Sequence, residues 1–194
     1  FFVFSLFFNY YSLHIKFQKK INVKFLKYLI KTINCFNMIK KKGSKMKKEK
    51  LNNAGKKVHT TVSALFFNEK KEMLIIKKSD PAYSKKYSVV AGHVEDGETI
   101  EDALLREVFE EMNLNVSEYE LIAEFENLND TCRYGVSFHD WHVFKINHKI
   151  EIEKINFDKE EIESLQWMGI NEIQKNKEFF TSGSKSMLSA LNIF

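Results

Sequence analysis

Cysteine is scarce in this chain. Only Cys35 and Cys132 occur, far apart in sequence. Two distant thiols make neither a disulfide framework nor a Cys-x-x-Cys metal pair, so a reducing cytosol is the expected compartment. No zinc-ribbon spacing is present, and Cys132, without a visible partner, is expected to be an unreactive thiol. Proline occurs once, at Pro81, in the polar loop SDPAYSKK. Long apolar runs are missing as well. The most apolar stretch, FFVFSLFFNYYSLHI, is interrupted by Ser5, Asn9, Ser12 and His14, and it falls short of the roughly 20 residues of a membrane-spanning helix. A signal peptide would carry its charges before the apolar run and a small-residue cleavage site after it. Here the lysines come after, and no such site follows. The sequence opens on Phe1 rather than Met. Residues 1–49 are therefore expected to be a disordered tail or sequence translated from upstream of the true start, with Met38 and Met46 as candidate starts.

Charge is distributed unevenly. The formal net charge is +4, yet lysine crowds the region from Lys16 to Lys57 while acids gather after Gly92. That asymmetry marks an unusual N-terminal arm rather than a basic domain. Nucleic-acid contact through the lysine run MIKKKGSKMKKEK would be unspecific, and it is the less favoured partner reading. Hydrophobic residues make up 44% of the chain, enough for an ordinary globular core.

Residues 50–194 read as one domain, with no repeat or low-complexity tract. VHTTVSALFF (Val58–Phe67) and EMLIIKK (Glu72–Lys78) are β-branched and apolar, and the intervening NEKK predicts a hairpin. YSVVAG (Tyr87–Gly92) is a short strand stopped by glycine. YELIAEFEN (Tyr119–Asn127), YGVSFHDWHVFKI (Tyr134–Ile146) and EIESLQWMGI (Glu161–Ile170) have strand character. NEIQKN and SKSMLSALNIF look helical. Strands interleaved with a few helices predict an α+β fold, a mixed sheet flanked by helices.

The segment GHVEDGETIEDALLREVFEEMNLNV (Gly92–Val116) holds eight carboxylates, one arginine and two glycines. Thr99 is a good N-cap, with Asp102 where a capping-box acid would sit. A helix from Ile100 to about Met112 follows, and Asn113 stands where the chain leaves it with positive φ. At about 100° per residue, Leu105, Val108, Phe109 and Met112 share one stripe, the expected buried face. Glu107, Glu110 and Glu111 converge on the other side. Like charges at this spacing are mildly destabilising. A solvated acidic face is the plain reading; a hard divalent cation with oxygen ligands is the functional one. Gly92 and Gly97 bracket a tight loop with Glu98 at its mouth, and Arg106 is placed to pair with Glu98.

Gly92, Glu98, Arg106-Glu107-Val108, Glu110-Glu111 and Leu114 fall at the spacing G-x5-E-x7-R-E-U-x-E-E-x-G-U, with U an aliphatic residue. This pattern resembles the Nudix box. Its final glycine is Asn113 here, the residue that best substitutes for glycine at a left-handed helix exit. YSVVAGHVE stands where the family often has W-x-x-P-G-G, with Tyr87, Val90 and Ala91 departing from it. The resemblance extends from about Val58 to Ile173 and implies an α/β/α sandwich. It also implies hydrolysis of a nucleoside diphosphate linked to another moiety, with Mg²⁺ (or Mn²⁺). By position it implies Glu107, Glu110 and Glu111 as metal ligands, the Gly92 carbonyl as a further ligand, and Glu98 and Arg106 as braces of the site. The general base stays open among Glu107, Glu160 and Glu161.

His139 and His142 form an H-x-x-H pair, but residues three apart on a strand point to opposite faces, so they are expected not to share an ion. Trp141 and Tyr87 are expected in the core rather than stacked on a base. The implied partner is a small nucleotide, the implied location cytoplasmic without membrane attachment of the folded domain, and the assembly a monomer or homodimer. A non-catalytic ligand sensor on the same fold would ordinarily have lost box carboxylates, and all are present here. RNA-end processing, with the lysine arm as handle, is the third reading.

Overall fold

A computed structural model describes residues 46–83 and 86–194. The reading of an N-terminal tail therefore lies almost wholly outside the described residues. Those from Met46 onward already belong to the fold. The carbonyl of Met46 accepts from the Asp96 N–H at 2.9 Å, and the Lys48 N–H donates to the Val94 carbonyl at 2.9 Å.

The described residues form eight strands and three α-helices: β1 Glu49–Leu51, β2 Lys57–Phe66, β3 Met73–Lys78, β4 Tyr87–Ser88, β5 Val90–His93, α1 Ile100–Met112, β6 Tyr119–Asn129, β7 Phe138–Ile146, β8 Ile162–Met168, α2 Ile170–Lys175 and α3 Ser182–Ala190. They form two sheets. In the larger, β2 lies between β7, its parallel neighbour, and a second edge shared by β1 and β5, while β6 closes the far side against β7. The smaller sheet has the order β4-β3-β8 and is antiparallel.

Strand β2 is buried along nearly its whole length, as a central strand covered on both faces should be. Its alternate residues enter different cores. Val62, Ala64 and Phe66 pack with Leu104, Val108 and Met112 of α1, whereas Leu65 packs with Met187 and Leu188 of α3. The strand period of two thus sends one face to α1 and the other to the C-terminal helices, which is the expected α+β sandwich.

Two expectations are corrected in detail. The NEKK turn forms, with the Asn68 side chain accepting from the N–H groups of Lys70 and Glu72 at 2.9 Å each. It does not make an extended hairpin, because β2 and β3 belong to different sheets and their ladder stops at a single bridge between Phe67 and Met73. Likewise Tyr87–Gly92 is not one strand. The chain breaks at the buried Val89, so that β4 pairs with β3 and β5 pairs with β2. The expected strand Tyr134–Ile146 begins only at Phe138. Its first residues form a turn closed by the Cys132 N–H on the Val136 carbonyl (3.0 Å), with Gly135 at φ 75°.

Candidate active site

The helix that carries the acidic residues has the predicted limits, and its caps explain why. The Thr99 hydroxyl accepts from the Asp102 N–H at 3.1 Å. At the other end Asn113 turns into the left-handed region at φ 52°, and its N–H returns to the Phe109 carbonyl. The buried stripe is rotated from the expected one. Ala103, Leu104, Leu105, Val108 and Met112 are buried, while Phe109 is half-buried. The rotation brings Glu111 to the edge of the core, where it is only 2% exposed. The three glutamates are therefore not one solvated face. Glu110 is exposed, Glu107 is half-buried and Glu111 is buried.

Arg106 organises the loop around them. Its Nε and Nη2 donate to the two oxygens of Glu98 at 2.7 and 3.0 Å. Nη2 also donates to the His93 carbonyl at 2.9 Å, and Nη1 to Glu107 at 2.6 Å and Glu110 at 3.1 Å. Burial alone would lower the guanidinium pKa, but Glu98 and Glu107 override it and raise it. Glu98 in turn accepts the Glu95 N–H at 3.0 Å. Such a two-pronged, charge-assisted pair fixes loop to helix, as the spacing suggested.

Gly92 lies directly against Glu107. A methyl group at its α-carbon would sit 1.9 Å from the Glu107 carboxyl carbon, so only glycine leaves room for this carboxylate. Gly97 has φ 79°, a conformation that glycine adopts at no steric cost.

Burial pushes the Glu107 carboxyl pKa up, against the pull of Arg106. Burial raises Glu111 further, to about 7, opposed by the Lys78 ammonium with which it is paired and reinforced by Glu107. Lys78 is held charged by that partner despite its burial. The second oxygen of Glu111 is buried without a hydrogen-bond partner. An orphaned anionic oxygen beside a second crowded carboxylate is a donor set suited to a hard cation.

These groups line a cavity of about 470 Å³, together with Lys47, Arg133, Glu160 and Glu161. The Asp158 N–H bonds the Glu111 carbonyl at 3.0 Å, which ties the segment carrying Glu160 and Glu161 to the end of α1. Both of these glutamates are exposed.

His139 and His142 diverge as expected. His142 pairs with Glu124 at 2.8 Å, whereas His139 pairs with Asp130. Trp141 is buried and donates its indole N–H to Asp130 at 2.9 Å, and Tyr87 packs on Phe180. The expectation for Cys132 is corrected. Its sulfur lies 3.7 Å from His59 Nδ1, in a group with His93 and His139. Burial would raise its pKa, but His139 and the N–H groups of Tyr134 and Val136 bring it below the ordinary thiol value. Lys78, Asp130, His59 and His93 were also missed. Lys78, Asp130 and His93 line the cavity and His59 pairs with His139 across β2 and β7, placements that single-strand patterns do not carry.

The NUDIX domain family model matches residues 57–191. The chain belongs to the Nudix family. Solved structures share the fold at low identity. A NUDIX hydrolase from Nitrosomonas europaea matches at 21% identity and TM-score 0.55, over 69% of this chain and 88% of that one. A MutT NUDIX hydrolase from Burkholderia pseudomallei matches at 16% and 0.54, over 68% and 96%. The NUDIX domain of Shewanella oneidensis NrtR, complexed with ADP ribose, matches at 13% and 0.54, over 72% and 89%. No curated protein matches.

Proposed function

We propose that the chain hydrolyses the diphosphate bond of a nucleoside diphosphate linked to another moiety, using Mg²⁺ or Mn²⁺ held by Glu107, Glu110, Glu111 and the Gly92 carbonyl. The observation that carries this reading is the orphaned oxygen of Glu111 beside the crowded carboxylate of Glu107, both on the wall of one cavity. A divalent cation, when bound, offsets the charge on diphosphate oxygens and lowers the pKa of a coordinated water. The rest is the work of this chain's residues. Arg106 and Glu98 act as braces, holding the Gly92 loop and Glu107 in mutual register. Lys78 supplies the counter-charge of Glu111 in this structure; when a cation takes that part, its ammonium is released to meet a phosphate oxygen. Lys47 and Arg133 line the same cavity and suit the remaining phosphate charge.

For the proton of the attacking water, Glu161 is favoured over Glu160 and Glu107. It lines the cavity, is exposed enough to return its proton to solvent, and is near enough to raise the pKa of Glu111. Glu107 is held by Arg106, which ties up one of its oxygens. The proposed catalytic unit spans residues 50–194, with residues 46–49 strapped to its edge. A monomer or homodimer in the cytoplasm is the proposed setting. Among the described residues no helix is long and apolar enough to cross a membrane.

The test is a panel of nucleoside triphosphates, ADP-ribose, dinucleoside polyphosphates, nucleotide sugars and triphosphorylated RNA, incubated with the full chain and Mg²⁺. Metal-dependent release of phosphate, pyrophosphate or a nucleoside monophosphate from one class supports the reading and names the substrate. Tight binding of one ligand without turnover would assign a sensor instead.

A further inference from the structure

We propose that His59, His93, Cys132 and His139 form a tetrahedral site for Zn²⁺ beside the same cavity, with none of the α1 glutamates among its ligands. The four residues come from β2, β5, the β6–β7 turn and β7, and one ligand atom from each lies within 4.8 Å of all the others. Their spacing fits the ion. Zinc bonds of about 2.3 Å to sulfur and 2.0–2.1 Å to nitrogen give tetrahedral edges of about 3.3 Å between nitrogens and about 3.6 Å from nitrogen to sulfur. His93 Nε2 and His139 Nε2 are 3.4 Å apart, and His59 Nδ1 is 3.7 Å from Cys132 Sγ.

The far side of the rings points the same way. His59 Nε2 meets a Glu49 oxygen at 3.3 Å, and His139 Nδ1 meets Asp130. Asp130 is itself fixed by the Trp141 indole. A carboxylate on the outer nitrogen of a ligating imidazole is the usual second layer of a zinc site, because it fixes the tautomer and raises ligand basicity. Three imidazoles and a thiolate favour zinc over Mg²⁺, which prefers oxygen. His59 and His139 are 1% and 2% exposed, so the ring nitrogens that meet Cys132 and His93 are shielded from water.

With four protein ligands the site is closed, which is the signature of a structural ion. It ties together four segments, including His93, whose carbonyl receives Arg106 and which follows Gly92. Zinc binding forms the Zn–S bond and releases to solvent the Cys132 thiol proton and that of the His139 imidazolium.

The experiment uses the full chain, stripped with a chelator and titrated with Co²⁺. One equivalent is expected to give a sulfur-to-cobalt charge-transfer band with tetrahedral d–d absorption, displaced by Zn²⁺ and untouched by Mg²⁺. Cys132→Ser should abolish the band, whereas Cys35→Ser and Glu111→Gln should keep it. Asp130→Asn should weaken binding about 10–100-fold. Absence of the band in the wild-type chain, its survival in Cys132→Ser or its loss in Cys35→Ser would overturn the proposal. Should Cys132→Ser fail to fold, alkylation of Cys132 in the wild-type chain decides. One equivalent of Zn²⁺ should block it, and undiminished alkylation would refute the site.

Discussion

Gly92→Ala separates the fold from the chemistry. The backbone at Gly92 needs no positive φ, so alanine brings no conformational penalty there. Its methyl group would, however, lie 1.9 Å from Glu107 Cδ and 2.0 and 2.3 Å from the two carboxylate oxygens. Ordinary contact between carbons is about 3.5 Å, so the carboxylate must retreat by about 1.6 Å. It lies at the end of a flexible side chain and can do so by changing rotamer. The stability cost should then fall at the low end of the range for overpacking, about 1 kcal/mol, or a fall in Tm of about 2–4 °C for a chain of this size. The functional cost should be far larger. A displacement of about 1 Å of a positioned group can reduce turnover about 100-fold, equivalent to about 2.7 kcal/mol of barrier. Thermal unfolding and steady-state hydrolysis with Mg²⁺ on the same preparation measure both. Wild-type kcat/KM in a folded Gly92→Ala chain would refute the claim that the position of Glu107 matters. A collapse of Tm would refute the claim that only a flexible carboxylate fills the space.

Three further perturbations follow from the same geometry. Arg106→Ala leaves Glu98 buried without its cation and should destabilise the chain by about 3–5 kcal/mol, read as the shift of a urea unfolding midpoint; a loss below about 1 kcal/mol would mean that the loop is held by other contacts. Asn113→Gly relieves a side chain held at φ 52° and should be neutral or slightly stabilising, with activity unchanged; a large gain in activity would show that this departure from the box limits the enzyme. The Glu111 pKa is raised from 4.5 to about 7 in the folded chain, so the folded state holds a proton that the unfolded state releases first. Without metal, stability should therefore fall as pH rises from the unfolded value through 7, by on the order of 3 kcal/mol. Mg²⁺ should raise Tm more at pH 8 than at pH 5, and an equal shift at both would contradict the assignment of Glu111 as a ligand.

What could be read from the sequence was whatever is encoded locally. The limits of α1, the Thr99 cap, the left-handed Asn113 and the Arg106–Glu98 pair all depend on residues close in sequence, the last of them only eight positions apart. The divergence of His139 and His142 likewise follows from strand period alone. The rotation of the buried stripe toward Glu111 was not legible. It depends on the core into which Ala103, Leu104 and Val108 pack with residues of β2 and β3, which local helix periodicity does not carry. The hairpin at NEKK failed for a similar reason, since a turn sets the direction of the next strand but not the sheet it joins. His59 and His139 are direct partners in the parallel pairing of β2 and β7. Nothing in either strand specifies that register, so Cys132, which the β6–β7 turn lays beside them, looked isolated.

Hydrolysis by Glu111→Gln, followed over a Mg²⁺ titration with the best substrate of the panel, tests the central claim most directly. The substitution keeps the shape of the side chain and removes one anionic oxygen. The account predicts a folded protein with a wild-type far-ultraviolet spectrum, turnover lower by orders of magnitude and a weakened metal dependence. Turnover at the wild-type rate with the same half-saturating Mg²⁺ would contradict it, and would mean that the carboxylates of α1 do not hold the ion.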